Sequence, residues 1–467
     1  MATESREADE RWTPSDRSGC RPAQFAHLKY ILAVSALLDD LQQRGLISDV
    51  TNRDELAKLL AEGRITLYAG YDPTSASLHI GNLVPTILLR RFQLAGHRPL
   101  VLVGGATGMV GDPSGKSTER NLLDDATLAA NLASIRSQLE RLLDFTDPDT
   151  GAIVVNNYDW TKGISYLEFL RDVGKYLTIN YMMAKDSVKN RISRGADEGT
   201  TEGMSYTEFS YMLLQGYDFV HLSKAHGCRL QVGGSDQYGN ITTGGEMSRK
   251  MGGPQLFGLV APLMLDASGE KMGKTSTGER VSLDPAQFSP YKFYQYWFNR
   301  SDEEALRFLK WFSTKPIAEL DAVIAEHDAD RSKRIAQREL ARAMTTWVHG
   351  AEAVATAESA SRVMFGEALD GLKDADLAAL AGIVDTVEIP AAELEPGIGF
   401  LELMVRVFGE SKGAARRLIE QGGAYLNNVQ VKDHARKIAL GDRATESMMV
   451  LASGRKNRKL VRIVGMA

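Results

Sequence analysis

Between Arg64 and Gly105 the hydrophobic period of the chain switches twice, which constrains its fold more than any other stretch. Arg64-Ile-Thr-Leu-Tyr-Ala-Gly-Tyr71 reads as a strand and breaks at Asp72-Pro73-Thr74. Leu83, Ile87, Leu88 and Phe92 then recur at helical spacing until Gly96, and Leu100-Val-Leu-Val follows as a buried, parallel-type strand. Strand, helix, strand is the opening unit of a doubly wound α/β sheet, whose ligands sit at the C-terminal ends of the strands. Ile153-Val-Val-Asn and Cys228-Arg-Leu-Gln-Val-Gly-Gly read as further strands, with helices expected over 166–173 and 206–221. The expected fold is a Rossmann-like, doubly wound parallel sheet followed by a helical domain and a small α+β domain.

A chain of 467 residues exceeds one core and suggests two to four domains. Residues 1–30 are expected to be a disordered extension, because acids intersperse the arginines of the first part and no apolar stretch marks a secretory signal. A main domain is expected over 31–280 with an insertion at about 150–228, and a helical domain over 281–382, where Ala, Arg and Glu alternate at helical period. Residues 383–399, with Pro390, Pro396, Gly397 and Gly399 among acids, read as a linker. The last block, 400–467, holds 13 Lys+Arg against 6 Asp+Glu, while the rest holds 42 against 54. An acidic body with a basic tail suits RNA gripping, although a basic solvated surface would look the same. Within that tail Ala424-Tyr-Leu-Asn427-Asn428-Val-Gln-Val reads as a hairpin.

Cys20 and Cys228 give neither a disulfide framework nor zinc spacing, which fits a reducing compartment. No apolar run of ~20 residues is present, so no membrane span is expected.

Three stretches carry chemistry. His79-Ile-Gly-Asn82 opens the first helix, where exposed N–H groups and an imidazole suit phosphate. Taken alone, His79 reads as an ordinary surface or capping histidine. Gly269-Glu-Lys271-Met-Gly-Lys274-Thr275 makes a cationic, glycine-flanked loop. Gly104-Gly-Ala-Thr-Gly-Met-Val-Gly-Asp112-Pro-Ser-Gly-Lys116 invites a P-loop reading, but Gly111 to Gly115 encloses three residues where that loop needs four, so the reading is rejected. Without further support, Lys116 and Arg120 read as solvated charges.

In this order and at this separation, His79–Asn82 and Lys271–Thr275 resemble the HIGH and KMSKS signatures of class I aminoacyl-tRNA synthetases. The stretches 104–116, Tyr206-Thr-Glu-Phe-Ser-Tyr211-Met-Leu-Leu-Gln215-Gly-Tyr-Asp218 and Gln231-Val-Gly-Gly-Ser-Asp236-Gln237-Tyr-Gly-Asn240 narrow the resemblance to the bacterial-type tyrosyl-tRNA synthetases, from about Leu41 onward. The resemblance implies a tyrosine–tRNA ligase that forms tyrosyl-adenylate from L-tyrosine and ATP and then charges tRNA(Tyr). It implies a cytoplasmic homodimer, Mg²⁺ accompanying ATP, no tightly bound cofactor, no protein metal site and no membrane partner. Domain 281–382 becomes an anticodon-binding type, and 400–467 a basic RNA-binding module.

By the same resemblance Thr74 and His79 meet the γ-phosphate, and Lys116, Arg120, Lys271, Lys274 and Thr275 lie on loops that meet pyrophosphate. Asn82 stands where the signature has its second histidine. Tyr68 and Asp218 grip the phenolic hydroxyl, and Asp112, Tyr211 and Gln215 surround the ammonium. Gln237 lies near the carboxylate or α-phosphate. Gly70, Asp72, Gly234 and Asp236 surround the adenosine, and Asn157 and Trp160 stand behind the tyrosine pocket or simply pack. Lys412, Arg416, Arg417, Lys456, Arg458 and Lys459 are the candidates for RNA backbone. Two rivals stand beside this: a tryptophanyl enzyme of the same fold, opposed by Tyr68 with Asp218, and an RNA-binding scaffold without catalysis, opposed by the complete set of catalytic residue types.

Overall fold

Strand β2 (Thr66–Tyr71) lies inside a six-stranded sheet and sets the position of everything that follows. The computed structural model describes residues 37–114, 124–186, 188–189, 192, 204–366, 369, 371–378, 380, 384–454 and 457–465. The sheet contains β1 (Asp49–Val50), β2, β3 (Arg98–Val103), β4 (Ile153–Asn156), β5 (Cys228–Gly234) and β6 (Phe257–Ala261) in the order β1-β6-β5-β2-β3-β4. All neighbours are parallel except the short edge strand β1, which runs antiparallel to β6. From β2 the chain winds outward to β3 and β4, and the later strands β5 and β6 add on its other side. The winding reverses between β2 and β5, the position where a doubly wound sheet opens its ligand crevice.

Helix Leu83–Leu94 crosses from β2 to β3 and packs on β2, β3 and β5. Its apolar residues Leu83, Ile87, Leu88, Leu89 and Phe92 are fully buried, because both sheet and neighbouring helices cover it. Helix starts further on carry reciprocal caps: Ser165 with Glu168, Ser205 with Glu208, and Ser301 with Glu304. Gly227 takes φ 63°, a left-handed stop that turns helix Tyr206–His226 directly into β5.

Helices Pro290–Phe298, Asp302–Phe312, Ile317–Ala329, Ile335–His349 and Ala351–Phe365 follow the sheet. One continuous apolar core runs from the sheet into these helices, through Phe293, Trp297, Phe308, Leu340 and Met344. A buried ionic knot reinforces the junction. Arg44 and Arg91 share Asp40 and also donate to the carbonyls of Ser313 and, individually, Lys310, Lys315 and Trp311. Each guanidinium is thereby satisfied on several sides, the condition for burying such charges.

The C-terminal block has its own core, built from Ile389, Leu403, Met404, Ile419, Leu426, Met449, Leu451 and Val461 among others. Its sheet comprises β7 (Thr386–Pro390), β9 (Ala424–Leu426), β10 (Val429–Gln430), β12 (Met448–Ser453) and β13 (Asn457–Val464), in the order β10-β9-β12-β13-β7. Strands β8 (Ile398–Gly399) and β11 (Lys437–Ile438) form a separate pair. Asn427 and Asn428 both take positive φ, 50° and 62°, and close the hairpin β9–β10.

The stretch expected as a linker, 383–399, is corrected here: β7 pairs in parallel with β13 along Thr386–Pro390, and β8 pairs with β11. Thr386-Val-Glu-Ile alternates at strand period, and Pro390 is tolerated because β7 is an edge strand. A third cluster joins Ala360 and Val363 of the last long helix to Met448, Val450 and Leu460 of the C-terminal sheet.

Candidate active site

A single cavity of about 1310 Å³ opens at the C-terminal ends of β2 and β5. It is lined by Tyr68, Gly70, Asp72, Thr74, His79, Asn82, Asp112, Tyr211, Gln215, Asp218, Gly234, Asp236, Gln237, Lys271, Lys274 and Thr275. Residues more than 200 positions apart therefore share one space, large enough for two small molecules at once. Lys116 and Arg120 lie outside the described residues, as does Lys456.

At the inner end, Tyr68 and Asp218 are buried at 1 % and 3 % exposure. The Asp218 carboxylate accepts hydrogen bonds from Trp160 Nε1 at 2.9 Å and Asn157 Nδ2 at 3.0 Å. Both residues therefore orient Asp218. Burial, with a smaller contribution from the charge of Asp72, pushes the Asp218 carboxyl up to about 7. Tyr68 Oη is buried and has no hydrogen-bond partner, and the Oε1 atoms of Gln215 and Gln231 are in the same condition. All three residues line the cavity. Buried polar atoms are normally paired, so three orphans around one space mark where the polar groups of a ligand belong. Gln231 escaped the sequence reading because it sits in an apolar strand pattern; it is the register partner of Tyr68 across β2 and β5.

In the middle, Asp112 accepts from Gln237 Nε2 at 2.7 Å and from Ser114 N at 2.9 Å. Gln215 Nε2 lies 3.4 Å from Gln237 Oε1. Tyr211 Oη donates to Asp72 Oδ2 at 2.9 Å, and Thr107 Oγ1 donates to Asp72 Oδ1 at 2.8 Å. Asp72 is thus held by one hydroxyl on each carboxylate oxygen. Glycine at 104 is demanded by this packing, since a Cβ there would fall 2.2 Å from Thr107 Oγ1 and 2.3 Å from Asp72 Oδ1. At Gly234 a Cβ would sit 2.9 Å from Asp236 Oδ1.

At the outer end the turn Asp72–His79 is held from below by helix Asp125–Leu142. Asn131 Nδ2 donates to Pro73 O at 2.9 Å, and Gln138 Oε1 accepts from Leu78 N at 3.0 Å. His79 caps the short turn Ile80–Asn82: its Nδ1 accepts from Gly81 N at 3.0 Å, and Asn82 Oδ1 accepts from His79 N at 3.0 Å. Burial, helped by the charge of Arg280, lowers His79 to about 4. The ring is therefore neutral near pH 7, and with Nδ1 accepting, its proton is on Nε2, which is left to donate. Asn82 spends its oxygen on the cap, leaving its NH₂ as the group that can reach a ligand.

The second cationic segment folds back on this turn. Lys271, Lys274 and His79 take part in isolated bridges to Leu265, Arg280 and Ser282. Met272 is buried in the main core and anchors the loop, while Lys271 and Lys274 are exposed. Lys271 Nζ pairs with Asp236 Oδ2 at 2.9 Å. Thr275 Oγ1 accepts from Glu279 N at 3.1 Å, which braces the turn after Lys274.

The basic candidates of the C-terminal block divide between two elements. Lys412, Arg416 and Arg417 share helix Lys412–Glu420, where Arg416 pairs with Glu420 at 3.0 Å. Arg458 and Lys459 lie on β13, with Lys459 paired to Asp385 at 3.2 Å and Arg458 reaching Asn428 Oδ1 at 3.4 Å.

This fold and this cavity define a doubly wound α/β domain whose ligand crevice is bordered by an exposed cationic loop. The model of the tRNA synthetases class I (W and Y) matches residues 60–366. The chain is 45% identical over 433 residues to the tyrosine–tRNA ligase of Rhodopirellula baltica, spanning 92% of this chain and 97% of that one. It is 45% identical over 436 residues to that of Roseiflexus castenholzii, spanning 92% and 100%. Among solved structures it resembles a C-terminally truncated Aspergillus nidulans mitochondrial tyrosyl-tRNA synthetase, with TM-score 0.64, 31% identity, and coverage of 73% of this chain and 99% of that one. The chain belongs to the class I tRNA synthetases and, among them, to the bacterial-type tyrosyl-tRNA synthetases.

Proposed function

We infer that the protein is a tyrosine–tRNA ligase, which activates L-tyrosine with ATP and transfers it to the 3′ end of tRNA(Tyr). The observation that carries the inference is the inner end of the cavity, where the unpartnered Tyr68 hydroxyl and the buried Asp218 carboxylate await a hydroxyl on the ligand. A phenol satisfies both. Phenylalanine would leave the Tyr68 hydroxyl unpaired, at a cost of about 1–3 kcal/mol, and would bring an apolar edge against the Asp218 carboxylate, which would keep only Asn157 and Trp160 as partners.

On this reading the residues take the following roles. Tyr68 and Asp218 hold the phenol. Asp112, Tyr211, Gln215 and Gln237 surround the ammonium and carboxylate. Gly70, Asp72, Gly234 and Asp236 take the adenosine, and binding of its ribose to Asp236 displaces Lys271 and frees that ammonium for phosphate. The tyrosine carboxylate attacks the α-phosphorus in line, and the bond to the β-phosphate oxygen breaks. Thr74, the Nε2–H of His79, Asn82, Lys271, Lys274 and Thr275, with Lys116 and Arg120, stabilise the charge on phosphorus and pyrophosphate. No nucleophilic side chain is required. The outer-end donors are hydroxyl, imidazole, ammonium and guanidinium groups, which suit phosphate oxygens and not a cation, so Mg²⁺ enters with ATP as part of the substrate.

Residues 281–382 and 400–467 serve tRNA, with Lys412, Arg416, Arg417, Lys456, Arg458 and Lys459 on its backbone. The protein works as a cytoplasmic homodimer. Tyr166, Leu167, Ile179 and Tyr206, at 61%, 75%, 62% and 61% exposure, gather in the insertion and give a second copy an apolar face. Light scattering at micromolar concentration should report twice the chain mass; a monomer contradicts the dimer. ATP–pyrophosphate exchange with tyrosine, phenylalanine and tryptophan in turn tests the function: exchange should depend on tyrosine, and a preference for either of the others overturns it.

A further inference from the structure

Arg280 lies beyond the cationic loop signature, yet it lines the same cavity as Thr74, Ser75, His79 and Lys274. Its Nη1 donates to Ser75 Oγ at 2.7 Å and its Nη2 to Ser77 O at 3.1 Å. These two bonds hold the guanidinium across the turn that precedes His79. Around it the segments are laced by backbone: Ile80 N donates to Val281 O at 3.2 Å, and Leu283 N donates to Leu78 O at 2.9 Å. Ser282 Oγ donates to Ser77 Oγ at 2.7 Å. Arg280, itself exposed and bridged by backbone to Lys274, is thus tied through its guanidinium to the turn before His79, whereas Lys271 reaches across to Asp236.

The charge state distinguishes it further. Lys271 is neutralised by Asp236 at 2.9 Å. Among the described residues no carboxylate pairs with Arg280, and burial is the influence on its proton affinity, working against the cation. A partly desolvated, unneutralised guanidinium beside two hydroxyls and a neutral imidazole donor is a phosphate-binding arrangement. A purely structural pin would need only the two hydrogen bonds to Ser75 and Ser77, and those leave the remaining guanidinium N–H groups available.

We propose that Arg280 is a further catalytic residue that contacts the β- and γ-phosphates of ATP and the departing pyrophosphate, opposite Thr74 and His79. The proposal deepens the ligase reading and rests on it for the identity of the nucleotide reaction. During activation the Pα–O bond to the β-phosphate breaks, and negative charge grows on the pyrophosphate oxygens. A cation held at this place by Ser75 and Ser77 stabilises that charge.

The test compares Arg280→Gln and Arg280→Lys with the unmodified protein, using inorganic pyrophosphate as the probe. Titration of pyrophosphate, followed by calorimetry, needs no amino acid and is therefore independent of tyrosine specificity. Arg280→Gln should weaken pyrophosphate binding by roughly 10- to 100-fold, the range for losing a hydrogen bond to a charged group. It should lower tyrosine-dependent exchange by a similar factor and leave the KM for tyrosine in place. Arg280→Lys should recover most of both. Unchanged pyrophosphate affinity in Arg280→Gln would overturn the proposal, and so would equal losses in the Lys and Gln variants, since a pin is sensitive to geometry and not to charge. If the unmodified protein bound pyrophosphate in an Arg280-dependent way yet exchanged with another amino acid, the tyrosine reading would fall and Arg280 would keep its role.

Discussion

The two ends of the cavity are built on opposite principles. At the inner end Tyr68 and Asp218 are buried, and Asp218 is fixed from behind by Asn157 and Trp160. At the outer end Lys271 and Lys274 are exposed on a loop anchored by Met272, and Lys271 pairs with the Asp236 carboxylate. Fixed, desolvated polar atoms select a ligand, because any mismatch leaves them unpaired. Solvated cations contribute most where charge develops during a reaction. On the proposed reading, the inner end serves selection and the outer end rate.

The largest effect should come from the outer end. His79→Ala or Thr74→Ala should lower the rate of adenylate formation by roughly 10²–10³, the range for losing one donor aimed at developing charge. Tyrosine affinity, measured by equilibrium dialysis, should stay within about twofold. Weaker tyrosine binding with an unchanged rate would blur the division between the two ends.

How much of this division could be read from residue order depends on whether a signal is local. Strands β2 to β5 and helix Leu83–Leu94 were legible because period and turn residues lie within each segment. Strand β7 was misread as linker: its prolines and glycines are local, but its partner β13 lies about 70 residues on, and only that pairing makes it a strand. At the site, His79 was bland in isolation and gained meaning from family motifs. The backbone cap that leaves its Nε2 as donor was not visible until the turn Ile80–Asn82 was seen. Gln231 and Arg280 were missed for the same reason. Each looks ordinary in its own segment, and each matters through a neighbour far away in the chain: Tyr68 for one, Ser75 and Ser77 for the other.

A pH series sharpens the comparison at the inner end. Burial pushes the Asp218 carboxyl up to about 7, and a phenol donates a stronger hydrogen bond to the ionised carboxylate than to the neutral acid. Lowering the pH through that value protonates the acceptor, so tyrosine affinity should fall, by up to about tenfold, between roughly pH 8 and pH 6. His79, held down at about 4, stays neutral over this range and does not mask the effect. Phenylalanine, with no hydroxyl, should bind equally weakly throughout. A flat profile for tyrosine would remove Asp218 from phenol recognition.

The smallest effect on activation should follow removal of the C-terminal block. The cut belongs before residue 384, because β7 is part of the C-terminal sheet and a cut at 400 would strip it of β13. Without residues 384–467, exchange should remain within about twofold, tRNA charging should drop, and the salt dependence of tRNA binding should flatten as phosphate contacts are lost. Exposure of Ala360 and Val363 will lower thermal stability somewhat. Equal loss of exchange and charging would refute a tRNA-directed role for the block.

The division of labour is tested most directly by one measurement: tyrosine- and phenylalanine-dependent ATP–pyrophosphate exchange on the unmodified protein, Tyr68→Phe and His79→Ala in parallel. His79→Ala should slow exchange with both amino acids by the same factor and leave their ratio of kcat/KM untouched. Tyr68→Phe should shrink that ratio by roughly tenfold or more, the worth of about 1.5 kcal/mol for a buried hydrogen bond to a hydroxyl, with little loss of kcat for tyrosine. A ratio that moves with His79 and stays constant with Tyr68 would contradict the account.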